Sequence, residues 1–304
     1  MGKESVAAVA PLRSERPLPR RLRTRLAQSL SLSLPAVDEY ARSHRLQIIT
    51  PEGDSDAHAL ETLVFDEDCV LLDGTALEPG PKPTYALLNK PKHVTSTARD
   101  PDGKSDLSPY LRAMPAGCFP VGRLDRETTG LLLFTTDGDL ATAVLRPEHE
   151  TTKTYWLWLD EALADDDARL ATLLSGVLHN GERLSAHGVR IAARHEYATE
   201  LELTLTQGKK RQVRHMCRAL NLHLVHLHRK RIGPLTDQGL ALGEWRMLDD
   251  SEVAGLWAAV GGRDRLRARK LVALRRQARG ARSAGAPLLR LERWLEGEAE
   301  AGER

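Results

Sequence analysis

The chain has 304 residues, 41% of them hydrophobic and 4% aromatic, with 44 Lys and Arg against 42 Asp and Glu and a formal charge of +2. That length suits two modest domains or one large one, and the apolar share is enough to build a core. A charge so close to balance excludes a uniformly basic chain, so any contact with an acidic polymer must come from local basic patches.

Residues 1–17, MGKESVAAVAPLRSERP, contain no apolar stretch of signal-peptide length, and Val6 stands where a myristoylation signal needs Ser or Thr. They read as a loose basic arm. A first folded segment is expected over residues 18–79. Leu22, Leu26 and Leu30 recur at helical spacing among Arg21, Arg23 and Arg25. A second short helix is predicted over Ala36–His44, and Val70–Leu77 reads as a strand that turns at Asp73-Gly74. LEPGPKPT, Leu77–Thr84, holds three prolines and a glycine and reads as a linker.

The body, residues 80–262, mixes the two periodicities. Tyr85–Leu88, Leu131–Thr136 and Tyr155–Leu159 read as buried strands, and Leu201–Thr206 alternates with Leu201, Leu203 and Leu205 on one face. Arg211–Leu220 reads as a helix with Val213, Cys217 and Leu220 on one side and Arg211, Arg214 and Arg218 on the other. Strands broken by helices without a regular βαβ rhythm indicate an α+β fold. Residues 263–304 run from strongly basic to acidic and read as a solvated tail. Within it, LLRLERWL, Leu288–Leu295, has the pattern of a short docking helix.

No apolar run approaches the roughly 20 residues that cross a bilayer. Cys69, Cys118 and Cys217 are far apart and form no C-x-x-C pair, which fits reduced thiols in a cytoplasmic protein. No amphipathic seam for a dimer is apparent, so a monomer is expected. His223, His226 and His228 lack a neighbouring Cys or carboxylate cluster and make a poor metal site. DGKS, Asp102–Ser105, lacks the upstream glycine of a phosphate loop.

The most specific segment is GRLDRETTGLLLFTTDG, Gly122–Gly138. It sets Asp125 two residues after Arg123 and directs the chain into an apolar run, Leu131–Phe134. Alone, such an Asp reads as a turn or cap residue. Three more segments accompany it: LNKPKHVTST (Leu88–Thr97), TKTYWLW (Thr152–Trp158) and the basic stretch Gln207–Leu235. In order and spacing the four blocks resemble the bacterial ribosomal-RNA pseudouridine synthases that carry an N-terminal alpha-L RNA-binding domain. The resemblance covers about residues 85–250 closely and 20–78 loosely.

It implies a pseudouridine synthase fold with a mixed or antiparallel central sheet, preceded by a small, divergent alpha-L domain. It also implies isomerisation of a uridine in ribosomal RNA, or in an assembling ribosomal subunit, with no cofactor and no metal. Asp125 matches the catalytic carboxylate. An ionised carboxylate in a partly dry site needs a cation beside it, and Arg214 matches that partner. A target base must leave its stack to react, and Tyr155 matches the platform that receives it. Arg123 matches a wedge that fills the vacated place. Lys153, Lys209, Lys210, Arg211 and Arg218 are the expected RNA contacts. Leu242–Leu256 resembles the large-subunit-directed branch; a small-subunit or tRNA target, or an RNA-binding assembly factor without catalysis, are the alternatives. His93 departs from the family, which has glycine at that position, so a changed loop is expected there.

Overall fold

The structure, a computed structural model, describes residues 18–51, 53–55, 59–280 and 290–296; the expected basic arm and the acidic end lie outside them. The chain divides into two compact units, Met1–Gly80 with Asp264–Arg304, and Pro81–Arg263.

The smaller unit opens with helices Leu22–Leu30 and Leu34–Ser43. The second begins two residues before its predicted start, because Ser33 caps it through a bond from Ala36 N and Pro35 occupies its first turn. Strands Gly53–Ser55, Leu46–Thr50, Cys69–Leu72 and Thr75–Ala76 then form an antiparallel sheet in that spatial order. Asp73 and Gly74, at φ 50° and 82°, make the tight turn between the last two strands. Leu22, Leu26, Val37, Leu46, Ile48, Val64 and Val70 form the core.

The basic segment after residue 262 is not simply solvated. Helix Gly262–Gly280 is followed, past nine residues outside the description, by helical residues 290–296. Leu291, Trp294 and Leu295, at i, i+3 and i+4, bury themselves with Phe65. The guanidinium of Arg290 lies 4.6 Å over the Phe65 ring and pairs with Asp68 at 2.6 Å. Net charge conceals this stripe, because charged residues separate its apolar members.

The larger unit is built on one mixed sheet. Its principal strands are β1 (Tyr85–Lys90), β2 (Thr129–Thr135), β3 (Lys153–Leu159), β4 (Gly188–Arg194), β5 (Thr199–Leu205), β6 (Leu224–Ile232) and β7 (Trp245–Met247). The spatial order is β4-β5-β3-β6-β2-β1-β7, and β6 with β2 is the parallel pair. Every residue of β2 is buried, as an apolar run between neighbours on both sides requires. In β3 and β5 the alternation is strict: Tyr155, Leu157, Leu159, Leu201, Leu203 and Leu205 all enter one core. That core also takes Val213, Met216 and Cys217 from helix Gln212–Ala219.

Candidate active site

The site assembles where three segments converge on the face of the sheet that carries Tyr155. Asp125 lies in the loop that enters β2. Leu124 beside it is buried in the main core, which fixes one end of the loop. Ser96 Oγ donates to Leu124 O at 2.8 Å and accepts from Leu124 N at 3.0 Å, while His93 N donates to Arg126 O at 2.7 Å. The residues on both sides of Asp125 are therefore pinned by the segment after β1. That segment is braced in turn by Lys90, whose fully buried ammonium donates to Pro91 O at 2.8 Å and Val94 O at 2.9 Å. Burial pulls the Lys90 pKa down from 10.5 to about 8.

His93 adopts φ 68°, so the loop keeps a left-handed residue although glycine is absent. Its imidazole meets Glu127 Oε1 at 3.1 Å, a local bond that helps hold this conformation.

Arg214 is supplied by the basic helix. The helix is one residue shorter at each end than predicted: Arg211 precedes it at φ 55°, and Leu220 follows it. Gln212, 2% exposed, accepts from Lys209 N at 3.0 Å and donates to Ser185 O at 3.2 Å, which holds the preceding turn. From this helix Arg214 Nη2 donates to Glu127 O and Thr128 Oγ1 at 3.3 and 3.2 Å, and Nε stands 3.7 Å from Asp125 Oδ2. The guanidinium thus faces the carboxylate at ion-pair range while it is anchored to the same loop.

Asp125, Arg214 and Tyr155 border one cavity of about 680 Å³. Tyr155 is 9% exposed and lies on β3 directly opposite Arg229 of β6. Arg123, Lys153, Lys209, Lys210 and Arg211 also line the cavity, whereas Arg218 does not and is exposed. Lys209 is held by Glu182 at 2.9 Å, and Lys153 donates to Val144 O at 3.2 Å. Burial, reinforced by the charge of Arg229, lowers the Lys153 pKa from 10.5 to about 8.

Sequence reasoning overlooked Ser96, Lys90 and Arg229. Ser96 and Lys90 fall inside the quoted Leu88–Thr97 block, but nothing local reveals whom they meet. The histidines serve the sheet: His226 Nε2 and His228 Nδ1 both meet Thr129 Oγ1, at 3.1 and 2.8 Å, and His228 Nε2 meets Asp237 at 2.8 Å. His223 precedes the strand and is exposed.

A family described as RNA pseudouridylate synthase matches residues 84–219. The ribosomal small subunit pseudouridine synthase A of Escherichia coli (strain K12) is 35% identical over 235 residues, 76% of this chain and 97% of that protein. An uncharacterized RNA pseudouridine synthase of Aquifex aeolicus is 34% identical over 195 residues, covering 64% of this chain and 77% of the relative. A pseudouridylate synthase crystal structure, 26% identical, aligns with 79% of this chain and all of its own at a TM-score of 0.53. The small-subunit name of the Escherichia coli relative does not support the expected large-subunit branch. Leu242–Leu256 instead builds the edge strand β7 and a helix with an Asp249–Glu252 capping box, so folding accounts for its sequence. The fold, the matched segment and the full-length likeness to a named synthase agree: the chain belongs to the RNA pseudouridylate synthase family.

Proposed function

We propose that this enzyme converts a uridine of small-subunit ribosomal RNA to pseudouridine, with Asp125 as its catalytic carboxylate. The observation that carries the reading is the enclosure of Asp125, Arg214 and Tyr155 in one cavity rimmed by basic side chains. The small-subunit target rests on the name of the Escherichia coli relative.

The reaction is an isomerisation. The C1′–N1 bond breaks and its electron pair goes to the uracil; the ring turns; a C1′–C5 bond forms; the C5 proton leaves and N1 gains one. Atoms and electrons balance without a redox partner. Arg214 faces the Asp125 carboxylate at ion-pair range and orients it. Tyr155 receives the flipped base, a contact worth roughly 1–3 kcal/mol. Arg123, exposed at the rim, fills the place that the base leaves in the RNA. Lys153, Lys210 and Arg211 meet phosphate, with Lys209 shared between RNA and Glu182. The small N-terminal unit acts as a divergent alpha-L RNA-binding module; its helix pair followed by a hairpin sheet is what supports that assignment.

The test is tritium release from uridine labelled at C5 in unmodified small- and large-subunit rRNA, with wild type and Asp125→Asn. Release from small-subunit RNA by wild type alone is expected. Release by both proteins would remove Asp125 from the chemistry. Salt-sensitive binding without release would favour an assembly factor.

A further inference from the structure

The cavity floor holds a cation that the roles above do not use. Arg229 is 6% exposed, yet it borders the cavity. Its Nε donates to Leu131 O at 2.7 Å. Neither terminal nitrogen meets an acceptor among the described residues, and Nη2 is fully enclosed. No carboxylate among the described residues stands within ion-pair distance of it. Removing a guanidinium from water without a counter-charge is costly, and proteins keep such groups where something else compensates them.

The surroundings indicate what compensates. Arg229 and Tyr155 are Cα partners on antiparallel strands, so their side chains leave the sheet on the same face. Their Cβ atoms are then about 5 Å apart. A pyrimidine stacked on Tyr155 has its carbonyl oxygens at its rim, within reach of the neighbouring guanidinium. Lys153 lines the same cavity, where burial and then the charge of Arg229 lower its pKa.

We infer that Arg229 is the electrostatic partner of the departing uracil, donating to a base carbonyl oxygen that becomes negative when the C1′–N1 bond breaks. The proposal rests on the reading of the chain as a uridine isomerase. When the electron pair passes to the ring, its charge spreads onto the two carbonyl oxygens. Arg229 stabilises that anion until C5 rejoins C1′. A fixed donor aimed at developing charge acts on the chemical step more than on binding.

The experiment compares small-subunit rRNA transcribed with uridine and with 5-fluorouridine. Fluorine withdraws electrons and makes the uracil anion intrinsically more stable. The single-turnover rate of C1′–C5 bond formation is read by chromatographic separation of the released nucleosides, for wild type, Arg229→Met and Arg229→Lys. Uridine RNA gives pseudouridine, and fluorinated RNA, which has no C5 proton to lose, gives the C5-fluoro C-glycoside with water added at C6. With uridine RNA, Arg229→Met should lose about 10²-fold, the loss typical of a missing donor to developing charge. With the fluorinated RNA it should lose less than about 10-fold, since less stabilisation is needed. RNA affinity should change little. If Arg229→Met does not fold, Arg229→Lys carries the test: it keeps the charge but loses the planar fork that bonds Leu131 O through Nε while presenting separate terminal nitrogens, and the same bias between RNAs is expected. Equal losses on both RNAs, or none, would overturn the inference while leaving the isomerase reading intact. A wild type inactive on both RNAs would overturn the small-subunit isomerase reading on which this inference rests, and the inference with it.

Discussion

Strands β2 and β6 lie side by side in parallel, yet one reads TGLLLFT and the other LVHLHRKRI. In β2, Leu132 and Phe134 join Ala86 and Leu88 in one cluster, while Leu131 and Leu133 are fully enclosed on the opposite face. In β6, Leu227, Arg229 and Ile232 border the cavity, and His226 and His228 turn the other way toward Thr129. Both strands are internal to the sheet, with neighbours on each side. Their difference therefore records what lies above each face: β2 meets the cavity only at Leu133 and is otherwise covered by protein, whereas β6 turns Leu227, Arg229 and Ile232 to it. A charge in the middle of a sheet is tolerable where the chain leaves room for a ligand.

The comparison can be broken at the contact between the two strands. A Cβ on Gly130, at φ 106°, would lie 2.3 Å from Arg229 O and 2.5 Å from Arg229 N, both backbone atoms. Gly130→Ala is expected to cost more than about 4 kcal/mol in urea unfolding, because neither strand can retreat. A stability equal to wild type would mean that the two strands separate readily at this point. Leu132→Ala, on the face of β2 turned away from the cavity, should cost about 3 kcal/mol and leave the RNA dissociation constant unchanged. A shift in RNA binding would show that β2 is not purely structural.

Thr129→Val tests the join on the far side. One hydroxyl serves two imidazoles, and its loss should cost about 1–2 kcal/mol in the same assay. A neutral substitution would show that water serves the two rings as well as the hydroxyl does.

The smallest effect is the pH response of the buried lysines. Lys153 and Lys90 fall from 10.5 to about 8, so below pH 8 they are charged in both folded and unfolded chains. Between about pH 8 and 10.5 the unfolded chain holds protons that the folded chain has released, and their contribution raises stability with pH. Over the same window Lys153 loses its charge in the cavity, and RNA affinity should fall a few-fold. Lys153→Arg should bind with no fall across that range. A wild type with the same flat profile would take Lys153 out of the RNA contacts.

Much of this architecture was legible in the chain. The strict alternation around Tyr155 and Leu201–Leu205 identified strands, and the spacing of Val213 and Cys217 identified the helix that delivers Arg214. Asp125 stood out because its motif runs into four consecutive buried residues. Arg229 stayed hidden, since between His228 and Lys230 it reads as one more surface charge. The docking of Trp294 was hidden in the same way, by basic and acidic neighbours along the tail.

By itself, the sequence determined the order of the elements, the apolar faces that must be covered and the family to which the chain belongs. These follow from local periodicity and from motifs whose members are close along the chain. Only the tertiary structure decided that Ser96 and His93 grip the residues flanking Asp125. It also decided that Lys90 is buried beneath that loop, and that Arg229 borders the cavity with no carboxylate at ion-pair range among the described residues. Each of these depends on which distant segment closes over a side chain, and burial and pairing of that kind leave no periodic trace in the residues themselves.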